Sequence, residues 1–176
     1  RGGAVRIQGE GIGARFSNGC VFKNNKVALG SGGAISVESA ASLFVSETTA
    51  LGNVATGSVN SMGGFVYASF ASSLFIRNIE VQNGVAKNGG AFAVIASKIA
   101  FDFVRVENCT ADSTGGAILL DQGAEGHVFT SVFMGNSAGT HGGHIQVTAS
   151  SLVVHSQHSS MNQHPRTTTA IRLIIT

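Results

Sequence analysis

The sequence predicts an all-β fold, a right-handed parallel β-helix of about six coils plus the first strand of a seventh, built from three short parallel sheets. Three observations carry this. The dipeptide Gly-Gly recurs at 2–3, 32–33, 63–64, 89–90, 115–116 and 142–143, at intervals of 30, 31, 26, 26 and 27 residues. A short run that alternates in polarity follows each pair. No segment between the runs has the 3.6-residue period of a helix. A repeat whose units are single turns of strand buries its apolar face only by stacking on its neighbours.

The run after each Gly-Gly is the first strand: AVRI, AISV, FVYA, AFAV, AILL and HIQV. Alternate side chains of a strand point to opposite faces. One inward column is therefore Val5, Ile35, Val66, Phe92, Ile118 and Ile145. A second is Ile7, Val37, Ala68, Val94, Leu120 and Val147. A seventh copy is expected with Thr168-Thr169 in place of Gly-Gly, which sets Ile171 and Leu173 in these columns. A second strand follows about ten residues on. Its inward columns read Leu43, Leu74, Ile99, Val128, Leu152 and Val45, Ile76, Phe101, Thr130, Val154. A third, weaker strand ends at an asparagine in every coil: Asn25, Asn53, Asn83, Asn108, Asn136 and Asn162. The second coil carries a longer loop, around Thr56 to Ser61.

The pairs Gly32-Gly33, Gly63-Gly64, Gly89-Gly90, Gly115-Gly116 and Gly142-Gly143 are expected at tight corners, where φ is positive or the backbones of adjacent coils come close. The asparagine column is expected at another corner, its amides hydrogen-bonded from coil to coil as a ladder. An 18-residue period with hexapeptide sub-repeats, the mark of a left-handed β-helix, is absent. So is the leucine pattern of leucine-rich repeats.

Gly-Gly-Ala-Ile at 32–35 and 115–118, Gly-Gly-Ala-Val at 2–5, Gly-Gly-Ala-Phe at 89–92, and Phe-x-x-Asn at 22–25 and 133–136 resemble the repeat of the chlamydial polymorphic outer membrane proteins. Similar repeats occur in surface proteins of some archaea and protists, within the pectin-lyase-like β-helix superfamily. The resemblance covers nearly the whole chain. It implies a parallel β-helix and an adhesin-like role outside the cell or at its surface.

Composition narrows function by exclusion. At 176 residues the chain is long enough for one domain with a sizeable core. Hydrophobic residues make up 43% and charged ones 11%, too apolar for disorder. The net charge of +2 offers no electrostatic case for nucleic acid. No apolar run approaches the ~20 residues of a membrane span. The chain opens inside a repeat at Arg1-Gly2-Gly3 and stops in a strand at Thr176. A segment of a longer protein, with further coils or a capping partner beyond, is the expectation.

No residue cluster reads as catalytic, and no cofactor or metal is expected. Glycoside hydrolysis needs two carboxylates about 5–10 Å apart. Asp102 faces Arg77 one coil away and reads as a cross-coil ion pair. Glu38 shares a column with Asp121 but stands three coils, ~14 Å, from it. Five of the six histidines, His141, His144, His155, His158 and His164, cluster late but fall on different sides of the coil. They read as a polar end of the solenoid rather than as a ligand set. Cys20 and Cys109, three coils apart, are too distant for a disulfide and read as small buried or half-buried thiols. The sequon Asn108-Cys109-Thr110 falls in the asparagine column, so Asn108 is expected to be engaged at a corner rather than glycosylated.

The outward residues of the second strand are Phe44, Phe75, Ala100, Phe129 and Val153, where a solvated face should be polar. Beside them Phe65, Tyr67 and Leu119 are expected outward from the first strand. Such a stripe exceeds what monomers usually expose. It points to a protein partner or self-association, and leaves carbohydrate possible. The function expected is a non-catalytic structural or adhesion-type module of a surface protein or larger assembly. The alternative is a carbohydrate-active β-helix, a polysaccharide lyase or glycoside hydrolase, or a carbohydrate-binding module.

Overall fold

A computed structural model describes residues 2–57, 60–155 and 173–175. Thr56, Gly57, Asn60 and Ser61 of the long loop are among them. Arg1, His158, Asn162, His164, the segment 168–172 and Thr176 lie outside the described residues.

The chain winds into a parallel β-helix. Coils begin at Gly2, Gly32, Gly63, Gly89, Gly115 and Gly142, numbered here 1 to 6. The first sheet stacks Val5–Gln8, Ile35–Glu38, Val66–Ser69, Phe92–Ile95, Ile118–Asp121, Ile145–Val147 and Leu173–Ile175 in order. The second sheet stacks Gly13–Phe16, Ser42–Leu51, Ser73–Gln82, Lys98–Glu107, Glu125–Phe129 and Ser151–His155, with Val21–Lys23 and Val132–Met134 continuing it in coils 1 and 5. The third is short: Lys26–Val27, Val54–Ala55, Val85–Asn88, Thr110–Thr114 and Ser137–Ala138. All pairings between these strands are parallel.

Three expected registers are corrected. The second and third strands of the sequence reading are two halves of one ten-residue strand in coils 2 to 4. The strand bends at a single residue with positive φ: Glu47 (48°), Asn78 (47°) and Phe103 (52°). The true third sheet lies beyond the asparagine. In coil 5, Ile99 pairs with Gly126 and Phe101 with Val128, two residues from the expected alignment. Gly126 hid this register because it has no side chain to mark an inward position. A Cβ there would lie 2.6 Å from Leu120 and 2.9 Å from Leu152, so those leucines fill its place. Beyond coil 6, Leu173 rather than Ile171 pairs with Ile145.

Both glycines of a pair have steric reasons. The first has positive φ, 73° at Gly32 and 63° at Gly89. The second is pressed on the next coil: a Cβ on Gly33 would meet the Gly64 carbonyl oxygen at 2.0 Å, and one on Gly90 the Gly116 carbonyl at 2.1 Å.

The interior is a column of apolar layers. Phe16, Phe22, Phe65, Phe92, Phe101 and Phe133 run up it in contact, with ring centroids 5.0–6.5 Å apart and interplanar angles of 56–89°. These tilted and edge-to-face contacts are the favoured aromatic geometry. Phe65 is wholly buried, contrary to the expected outward placement. In coils 2 to 5 the residue directly after Gly-Gly turns inward, as Ala34, Ala91 and Ala117 also do. The strand alternation starts one residue later.

Candidate functional site: an aromatic outer face

The asparagines divide into two neighbouring columns. Strand register puts Asn25, Asn53, Gly84, Cys109 and Asn136 one residue before the third sheet. The residue before each is left-handed: Asn24 (55°), Gly52 (62°), Asn83 (54°), Asn108 (52°) and Gly135 (65°). Asparagine and glycine are the residues that tolerate this conformation. Asn83 and Asn108 therefore belong to the bend and not to the ladder, a correction to the single column expected. Asn108 is exposed, so its sequon is not withdrawn into the interior.

The ladder ties coil 2 to coil 1 and coil 5 to coil 4 through asparagine, and coil 4 to coil 3 through Cys109. Asn53 Oδ1 accepts from the Asn25 backbone N–H at 3.1 Å and from Asn25 Nδ2 at 2.9 Å, while Asn53 Nδ2 donates to the Phe22 carbonyl at 2.8 Å. Asn136 does the same for coil 4, accepting from Cys109 N–H at 2.9 Å and donating to Val106 at 3.0 Å. Cys109 replaces asparagine in coil 4, and its sulfur accepts from Gly84 N–H at 3.3 Å. Burial pushes the Cys109 thiol up to about 11, and the Glu107 charge adds to this against the Gly84 hydrogen bond. Cys20 and Cys109 are both free thiols.

The outer face of the second sheet, before its bend, is aromatic. Phe44 pairs with Phe75 and Phe75 with Ala100. The Phe44 and Phe75 rings stack at 5.6 Å and 22°, and the Arg15 guanidinium lies 4.4 Å over Phe44. Above Ala100 the column continues with His127 and Val153. Phe129 stands one column aside, opposite Asp102 and His155, a correction that follows from the Gly126 register. His127, Phe129 and His155 form their own parallel stack, Phe129 on His155 at 4.2 Å and 7°.

Two further exposed aromatic residues were not legible from alternation: Phe103 sits at the bend inside the strand Lys98–Glu107, and Phe70 at the corner after Val66–Ser69. Phe103 is 55% exposed and Phe70 69% exposed, both with positive φ. Left-handed φ is unusual for a bulky side chain. The polar residues Asn18, Glu47, Asn78 and Thr130 at the bend in the other coils make Phe103 an outlier in its column. A groove of about 470 Å³ opens beside Arg15, Ser42, Phe44, Ser73 and Phe75, and one of about 370 Å³ beside Arg15, Phe44, Glu47, Arg77 and Phe103.

Tyr67 and Leu119 lie on the outer face of the first sheet. There Ala93, Ile95 and Leu119 form a small buried cluster with Met62 and Tyr67 packed against it. That patch is less open than expected, with Leu119 5% exposed.

Several charged groups are paired, most of them across coils. Asp102 meets Arg77 at 3.3 Å, Glu125 meets Lys98 at 2.8 Å, and Arg105 reaches Glu80 and Glu107. Arg6 holds Glu38 at 2.9 Å. Partial burial pushes the Glu38 carboxyl up, but hydrogen bonds from Arg6 and Ser36 and the Arg6 charge leave it below its ordinary value. Among the described residues no three of His, Cys, Asp and Glu come together as a metal site, and no helix is long and apolar enough to cross a membrane. His141 and His155 are exposed, and His144, directly after Gly142-Gly143, is half-buried.

No family model matches the chain, and neither a curated protein nor a solved structure matches it.

Proposed function

We propose that the chain is a non-catalytic β-helix module of a surface protein or larger assembly, acting outside the cell or at its surface. It is a rigid rod whose contacts are made by the aromatic face of its second sheet. One observation carries this: stacked rings stand outward in adjacent coils, on a sheet whose inner side is packed core. Phe75 is 39%, Phe103 55% and Val153 44% exposed. Nothing in the fold requires these positions to be apolar. The carbohydrate-active alternative has less support. The Phe44 and Phe75 rings turn their faces to each other rather than out toward a sugar. Asp102, Glu125, Glu80, Glu107 and Glu38 each have a cation partner.

The test is the double variant Phe44→Ser, Phe75→Ser. Surface substitutions change stability by about ±0.5 kcal/mol, or roughly 2 °C in a chain of this size. Circular dichroism should show an intact, cooperative transition, and binding of a hydrophobic dye should fall. Loss of cooperative unfolding would make the rings core and end this reading.

A further inference from the structure

Resting on that reading, we infer that the occupant of the aromatic face is a second copy of this chain, laid antiparallel against it. The column Arg15, Phe44, Phe75, Ala100, His127, Val153 has one gap. Ala100 leaves a notch one coil deep between the projecting rings of Phe75 and His127. Consider two copies face to face with opposed long axes, related by a two-fold axis parallel to the strands and passing between coils 3 and 4. Coil 3 of each then lies on coil 4 of the other, and each column lies on itself. Phe75 of one copy enters the notch over the other's Ala100, twice by symmetry.

The charges agree with this placement. Arg77 shares its column with Asp102 one coil on, so Arg77 of each copy meets Asp102 of the other. The two internal ion pairs join into an alternating cluster of four charges. Lys98 falls opposite Ser73, Glu125 opposite Ser42, Arg15 opposite Val153 and Phe129 opposite Ser46, so no like charges meet. The parallel arrangement, with the two-fold axis along the rod, fits worse. It sets Phe75 on Phe75 and leaves Ala100 over Ala100, ring against ring and void against void. An isologous contact of the antiparallel kind closes on itself and does not propagate.

The flat part of the face spans ~24 Å along the rod and ~17 Å across it, about 400 Å² per copy. That is half the ~800 Å² per partner of a standard interface, so the dimer is weak and its population follows concentration.

Analytical ultracentrifugation of the whole chain tests this, with circular dichroism on every variant. The wild type should dimerise reversibly. Phe75→Ala removes the projection and Ala100→Phe fills the notch; each should weaken the dimer about tenfold or more. The double variant F75A/A100F exchanges projection and notch and should recover most of the loss. Arg77→Asp should weaken the dimer, and R77D/D102R should restore it. A wild type that stays monomeric at millimolar concentration overturns the inference. So does a double variant no better than its single parents, or a dimer indifferent to Ala100→Phe. A monomer whose Phe44→Ser, Phe75→Ser variant still folds overturns only the second copy and leaves the face open to another partner. Failure of that variant to fold removes both readings.

Discussion

The eleven phenylalanines fall into two populations on the two sides of one wall. Phe16, Phe22, Phe65, Phe92, Phe101 and Phe133 face the interior. There the rings meet edge to face, and smaller residues make room: Ala91 precedes Phe92, and Ala68 stands below Val94 in the layer beside Phe65. Phe44, Phe70, Phe75, Phe103 and Phe129 stand outside. Those that touch another ring do so nearly in parallel, and Phe44 on Phe75 and Phe129 on His155 do so from coil to coil. The same side chain is thus used in two ways. Inside, varied orientation fills volume. Outside, the coil repeat sets ring over ring, and the apolar area remains in water. The interior set is explained by folding; the exterior set is not, and that asymmetry is the reason to place contacts there.

The sharpest way to break the comparison is to shorten one ring on each side. Phe92 is wholly buried between Phe65 and Phe101, so Phe92→Ala should cost about 3–5 kcal/mol. Phe75→Ala should cost roughly 0.5 kcal/mol or less. Chemical denaturation of both variants gives the two values under one protocol. Similar losses would mean that the outer ring is packed, and the division would fall.

A smaller effect separates the two asparagine columns. Asn53→Ala leaves the Asn25 N–H and the Phe22 carbonyl without their partner and should cost about 1–3 kcal/mol. Asn83→Gly, in the left-handed column, should change stability by only a few tenths, because Gly52 and Gly135 already serve there. Equal losses in a denaturant titration would put Asn83 back in the ladder. This pair also marks the limit of legibility. The coil boundaries, the first sheet and most of the core follow from Gly-Gly and alternation, because only glycine passes the two close approaches at that corner. The ladder column was obscured in coils 3 and 4. There it holds Gly84 and Cys109, and the neighbouring asparagines, Asn83 and Asn108, are bend residues. The stripe was misaligned at Phe129 for the same kind of reason, since Gly126 carries no side chain to show which way it points. Phe65 was misplaced because the inward turn after Gly-Gly breaks strict alternation. Phe70 and Phe103 needed backbone angles that no periodicity reveals.

Cys109 sharpens the inside–outside division with a titration. Its folded value, about 11, is raised above the ordinary value of 9.0, so the folded state keeps the thiol proton longer than the unfolded chain does. The stability this represents is intact below pH 9. It is lost as pH rises from about 9 to about 11, by up to about 1.4 kcal/mol per unit. Cys109→Ser should flatten that part of the stability profile. At pH 8 a thiol reagent should label Cys20, which is half-buried, well before Cys109. Simultaneous labelling under native conditions would show that coil 4 opens.

The smallest effect tests whether the outer aromatics are held at the expense of the fold. Phe103 has φ of 52° and is largely exposed, so it combines an unfavourable backbone conformation with apolar area in water. Asn18 and Asn78 occupy the same bend in coils 1 and 3, at 59° and 47°. Asparagine reaches left-handed φ more readily than phenylalanine, because its short polar side chain can bond locally. Phe103→Asn should therefore raise stability, by about 0.5–1 kcal/mol. The midpoint of thermal unfolding would rise by roughly 2–4 °C. Any contact that depends on Phe103 should weaken in the same variant, the exchange of stability for binding expected of a surface position kept for a partner. If Phe103→Asn lowers the midpoint instead, the ring stabilises the bend, and Phe103 joins the residues explained by folding.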